Sequence, residues 1–178
     1  MLIRRMKKSD LMPLFRLLSD EKVMEYIEPV FDLEKTRAFL DSAGLGEKPL
    51  IWAVEDDGVF LGYAIWHDYD ETSREIGWVL YPEHWGKGIA TKLTQELMQR
   101  AFSEDRDAVI ECAPAQEVTK HIALKLGFKP AGQRDGCEVF RAERASITSS
   151  SQTGTYLPGT DRLAPERNRD RWDPDDGC

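Results

Sequence analysis

The chain has 178 residues, 41% hydrophobic and 31% charged, enough to bury one sizeable core and, on length alone, suited to one domain. A formal net charge of −8 opposes nonspecific binding to nucleic acid or to an acidic membrane, because phosphate would repel it. No run approaches the roughly 18 consecutive apolar residues of a membrane span, and the basic residues of Met1 to Asp10 are followed by no apolar signal core, so the expected location is cytoplasmic.

In chain order, "MLIRRM" reads as a short strand, followed by Ser9 and Asp10 as cap candidates and by Leu11, Leu14, Phe15 and Leu18 at amphipathic helix spacing. A second helix is expected through "LEKTRAFLDSAG", stopping at Gly44. "LIWAVED", a turn at Asp57-Gly58 and "VFLGYAIWHDY" form an expected hairpin, and "SREIGWVLY" a fourth strand that Pro82 ends, since proline cannot donate to a ladder. From Ile89 the apolar positions Ile89, Leu93 and Leu97 mark a helical stripe, which makes Gly86-Lys87-Gly88 a strand-to-helix turn. Cys112, in the apolar run "AVIEC", reads as a packing residue of a buried strand, and the three cysteines show no CxxC pair that would suggest a metal site. After Ala145 the aliphatic pattern stops. Residues 1–145 are the expected folded domain, and 146–178, rich in Ser, Thr, Pro, Gly, Asp and Arg, a low-complexity tail, natural or vector-derived.

Two glycines around a lysine at the start of a helix expose main-chain amides that no side chain shields. Such a nest, with the helix dipole behind it, suits a phosphate, and Lys87 can add charge. The sequence fits neither a Walker loop, which places Ser or Thr after Gly-Lys, nor the dinucleotide fingerprint, which needs glycine where Thr91 stands.

The segment Trp85-Gly86-Lys87-Gly88-Ile89-Ala90 resembles the acyl-CoA motif Gln/Arg-x-x-Gly-x-Gly/Ala of the GCN5-related N-acetyltransferase (GNAT) superfamily, with Trp85 departing at the first position. "PEHWGKGIAT" looks like the variant in the branch acetylating ribosomal-protein N-termini. "QEVTKHIALKLGFKPAG" resembles the family's closing helix and strand: Lys125-Leu126-Gly127-Phe128 matches, Gln116 and Thr119 replace an asparagine and a serine, and Ala123 stands where many relatives carry a tyrosine thought to protonate the leaving thiolate.

The resemblance implies an α/β (α+β) fold with a mixed, mostly antiparallel sheet flanked by helices, its fourth and fifth strands splayed to admit acetyl-CoA. It implies transfer of the acetyl group to a primary amine by direct attack in a ternary complex. Glu75 is the implied base, with partial burial between Trp66, Trp78 and the cofactor expected to raise its pKa. Val79, Leu80 and Tyr81 are the implied main-chain contacts of the pantetheine arm, Val79 supplying the oxyanion donor. Trp85, Gly86, Lys87, Gly88, Ile89, Ala90, Thr91 and Gln116 are the implied cofactor contacts.

Thr119 or Tyr81 would assist the sulfur, and the phenol is the better acid. His67, His84 and His121 are read as solvent-exposed alternatives. Tyr26, Glu28, Asp32, Trp66, Asp68 and Asp70 are expected around the acceptor, where acids attract an ammonium. A peptide N-terminus is the expected acceptor, with a polyamine or an aminoglycoside as the alternative. A CoA-binding sensor without turnover and a non-catalytic interaction protein are the readings from other classes. No metal is expected, and the chain is read as a monomer or homodimer.

Overall fold

The computed structural model describes residues 1–144; the expected tail, 146–178, lies outside them. The elements follow as β1 (Leu2–Arg4), α1 (Leu11–Leu18), α2 (Glu21–Met24), α3 (Leu33–Phe39), β2 (Ile51–Asp56), β3 (Val59–Asp68), β4 (Ser73–Leu80), α4 (Ile89–Ser103), β5 (Asp107–Cys112), α5 (Glu117–Lys125), β6 (Lys129–Arg134) and β7 (Cys137–Ala142). Seven strands form one sheet in the order β1-β2-β3-β4-β5-β7-β6, antiparallel at every junction except the parallel β4/β5 pair. The mixed, mostly antiparallel fold expected from the sequence is the fold observed.

Local chemistry sets the boundaries. Asp57 (φ 48°) and Gly58 (φ 79°) take the two positive-φ positions that a tight β2–β3 turn demands. Asp20 and Asp32 cap α2 and α3 by accepting main-chain N–H bonds from Lys22, Val23 and Lys35. Asp10, buried just before α1, accepts two bonds from the Arg4 guanidinium at 2.8 and 2.9 Å and one from the Lys7 amide at 2.7 Å.

The pleat sorts side chains onto two faces. Leu14, Leu17, Leu18, Phe31, Phe39, Tyr63, Val79 and Tyr81 form a core with α1–α3 on one side. Trp66, Ile76, Leu80, Leu93, Leu97, Ile110, Cys112, Ala123 and Phe128 form a second core under α4 and α5. Leu93 and Leu97 are fully buried on the inner stripe of α4, and burial of each contributes about 1.5–3 kcal/mol. Cys112 is buried as expected, and that burial pushes its thiol up to about 11. Among the described residues, no helix is long and apolar enough to cross a membrane.

Candidate functional site

β4 and β5 are in register only over Ser73–Glu75 and Asp107–Val109, yet β4 continues to Leu80 and β5 to Cys112. The two strands therefore part beyond Glu75. The β3 side of β4 fixes which main-chain groups face that gap. Tyr69 N–H donates to Ser73 O at one end of the β3/β4 ladder, and Tyr81 N–H donates to Leu61 O at the other. With an unbroken register between them, the odd-numbered residues of β4 turn their amides and carbonyls to β3, and Trp78 and Leu80 turn theirs into the gap. The expected donor Val79, and the expected pairing through Tyr81, are thus corrected by one residue: Trp78 and Leu80 present the cleft-facing main chain.

Because β4 and β5 run parallel, the loops that follow them open at the same end of the cleft. After β4, a single helical turn at Pro82–His84 leads into the glycine pair, with Gly86 at φ 69° and Gly88 at φ 77° as the residue preceding α4. An added Cβ at either glycine would meet nothing within 4 Å, so these left-handed positions line open space. Lys87 is exposed between them, and Ile89, Ala90 and Thr91 form the first turn of a 15-residue helix. That arrangement fits a diphosphate: bare amides, a helix N-terminus and one cation. After β5, Gln116 closes the turn into α5 by accepting the Ala113 N–H at 3.1 Å, and half-buried Thr119 lies on the first turn of that helix. Ala123 is fully buried beneath it, within the core that also holds Cys112.

Glu75 is the last residue of β4 in register with β5, and it is only 8% exposed. The pleat turns it toward α1–α3 together with Gly77, Val79 and Tyr81. Its cross-strand neighbour is His67, whose Nε2 lies 3.5 Å from Glu75 Oε2 and whose Nδ1 lies 3.0 Å from Asp68 O. His67 is therefore half-buried against the carboxylate rather than solvent-exposed as expected.

Trp66, Trp78 and Asp68 do not surround Glu75, because the same alternation turns them to the α4 face. There the Trp66 ring meets the Arg100 guanidinium at 4.8 Å and that of Arg74 at 5.3 Å, and Asp68 pairs with Arg74 at 2.8 Å and Arg106 at 3.5 Å.

Burial raises the pKa of the Tyr63 phenol in the core on the Glu75 face, and the negative charge of Glu28 adds to that rise. Glu28 is itself half-buried and paired with Lys35 Nζ at 2.8 Å, and that ammonium stands 4.1 Å over the Phe31 ring. Asp32 is the α3 cap, and Asp70 accepts the Thr72 N–H and hydroxyl in the β3–β4 turn. Tyr26 is exposed and hydrogen-bonded to Glu25.

The Tyr81 hydroxyl donates to Pro13 O at 2.6 Å, and its ring lies under Arg16 and beside Phe60. Burial raises its pKa, and Arg16 opposes that rise. Its proton is held by a carbonyl of α1, so the phenol serves as a brace between β4 and α1, not as the thiolate acid. Sequence reading named His67 but placed it in solvent, and it missed the main chain of Trp78. Period-2 alternation, counted once the β3/β4 register is known, would have found both.

The sequence profile of the acetyltransferase (GNAT) domain matches residues 1–129. The uncharacterized N-acetyltransferase YnaD of Bacillus subtilis (strain 168) is 28% identical over 137 residues, covering 74% of this chain and 81% of that protein. A GNAT-family acetyltransferase from Bacillus anthracis has the same fold, with a TM-score of 0.67 at 23% identity over 78% of this chain and 90% of its own. A spermidine N-acetyltransferase from Vibrio cholerae, solved in complex with CoA and spermine, gives 0.64 at 20% identity over 79% and 92%. With its strand–nest–helix unit inside the matched span, the chain belongs to the acetyltransferase (GNAT) family and is an acyltransferase of the N-acetyltransferase type.

Proposed function

We propose that this chain acetylates the α-amine of a peptide or protein N-terminus, with acetyl-CoA held between β4 and β5 and its diphosphate on the Gly86–Gly88 nest. The observation that carries the acceptor reading is the engagement of the acids expected around it. Glu28 is neutralised by Lys35, Asp32 caps α3, Asp70 closes a turn, and Asp68 is on the opposite face with two arginines. A polyamine or aminoglycoside carries several ammonium groups and needs several available carboxylates. Glu75, beside His67, suits a single amine.

Acetyl-CoA, when bound, would supply the activated thioester: the neutral amine nitrogen would bond to the carbonyl carbon, the C–S bond would break, and the proton shed by that nitrogen would pass to the sulfur, leaving an amide and the CoA thiol. Glu75 accepts the proton that the amine must lose, directly or through a water, and His67 holds the carboxylate in place across the ladder. The Trp78 N–H, directed into the gap, is the donor for the developing oxyanion. Thr119, on the helix at the cleft mouth, steadies the departing sulfur, and Tyr81 is left out of this step.

The test is thiol release from acetyl-CoA with a panel of N-terminal peptides, spermine and an aminoglycoside. The peptides are expected to turn over with the highest kcat/KM. A preference for spermine or the aminoglycoside would overturn the acceptor reading and leave the transferase intact. Binding without thiol release from any amine would instead favour a sensor.

A further inference from the structure

We infer that Trp85 is a positioning residue for the acyl-CoA: its indole fixes the end of β4 against the glycine nest and offers its open face to the aliphatic part of the pantetheine arm. This rests on the cofactor reading above.

Trp85 closes the helical turn after β4 through its amide, which donates to Pro82 O at 3.1 Å. Its side chain then folds back five residues, and the indole Nε1–H donates to Leu80 O at 2.9 Å. That carbonyl belongs to the gap side of β4, since the neighbouring Tyr81 amide is the one that bonds β3. The indole thus satisfies the last main-chain acceptor along the cleft wall. An arm lying in the gap is left with the main chain of Trp78 and the Leu80 N–H, which fixes how far along the strand it can pair.

Tethered in this way, Trp85 remains 48% exposed and lies outside both cores, so its indole is held in one orientation without serving the core. Its position gives that surface a use. Trp85 directly precedes Gly86, so a ligand that leaves the cleft and places its diphosphate on the nest passes the indole. In an acyl-CoA the segment between the second amide of the arm and the diphosphate is a branched, methyl-bearing chain. An immobilised aromatic face matches it better than the polar side chain of the motif that this segment resembles.

Two variants separate the tether from the surface. Trp85→Phe keeps a ring and loses the N–H; Trp85→Ala loses both. By calorimetry with CoA, Trp85→Phe is expected to bind about 3- to 10-fold more weakly and Trp85→Ala about 10- to 50-fold more weakly. Tryptophan emission should change as CoA saturates the wild-type protein, and most of that change should be absent in Trp85→Phe. KM for acetyl-CoA should rise in both while kcat stays within about twofold, because the acetyl end reacts near Glu75. A purely structural pin would lower the melting temperature and leave affinity and KM unmoved. Wild-type affinity in Trp85→Ala therefore overturns the assignment while the cofactor reading stands, and absence of CoA binding by the wild-type protein removes both.

Discussion

His67 and Glu75 face each other across the β3/β4 ladder, Nε2 to Oε2 at 3.5 Å, while His67 Nδ1 points to the carbonyl of Asp68 at 3.0 Å. A carbonyl only accepts, so Nδ1–H is the donor to Asp68 O, and Nε2 is the ring atom that shares a proton with the carboxylate. Glu75→Gln keeps the shape and loses the basicity. It is expected to lower kcat by roughly 10²- to 10⁴-fold at neutral pH with acetyl-CoA affinity close to normal. Activity should partly return as pH approaches the acceptor's own pKa, about 8 for an α-amine. His67→Gln should lower kcat by about tenfold, since it leaves the base in place and removes its support. Wild-type kcat in Glu75→Gln would relegate this carboxylate to a structural role.

Gly88 precedes α4 in a left-handed conformation, with open space where a Cβ would stand. Gly88→Val meets no clash within the protein, but it strains the backbone and fills the nest. The expected cost is about 1–3 kcal/mol of stability together with loss of CoA binding in calorimetry. Unchanged affinity in a folded variant would remove the phosphate nest.

Gly62, at the bulge between β2 and β3, has φ 150°, and an added Cβ there would lie 2.0 Å from Val79 O and 2.9 Å from Leu80 Cα. Both obstacles are main chain of the cleft wall and cannot swing aside. Gly62→Ala is expected to lose about 3 kcal/mol or more, a fall in Tm of roughly 6–12 °C, and to weaken CoA binding as β4 shifts. A melting curve superimposable on wild type would contradict this.

Burial alone would raise the Asp10 carboxyl, but the bonds from Arg4 and the Lys7 amide bring it below the usual carboxylate range. A group depressed in the folded state stabilises above its unfolded pKa of about 3.9, and that stability is lost as pH falls through the folded value. Asp10→Asn should therefore cost about 3 kcal/mol at pH 7, where Arg4 loses a buried partner, and the gap to wild type should narrow below about pH 4. Urea unfolding at pH 7 and pH 3 measures both.

Elements governed by local chemistry were legible before the fold was known: the Asp57-Gly58 hairpin, the end of β4 at Pro82, the α4 stripe and the glycine turn. The short α2 was missed because four residues carry too little periodicity, although Asp20 caps it. β7, lying between β5 and β6, depends on pairing that spacing along the chain does not reveal. Within the site, residue types were easier to read than directions. Trp66 was placed beside Glu75, and Asp68 beside the acceptor, by resemblance, but the β3/β4 register is set by the turn through Asp70 and Thr72, whose length and bonding have no sequence signature. Val79 was named for Trp78 for the same reason: one step along a strand reverses every donor.

Within the sheet, β1–β4 and β5–β7 are stitched together by the three residue pairs from Ser73–Asp107 to Glu75–Val109. Beyond that short seam the two strands share no ladder, and a ligand laid between them would extend it. Amide deuterium uptake should register this as slowed exchange at Trp78 and Leu80 once CoA is present, with little change at Gly77 and Val79, whose amides already belong to the β3 ladder. Cofactor binding would then be read out as added main-chain pairing, a zip advancing from Glu75 toward the nest.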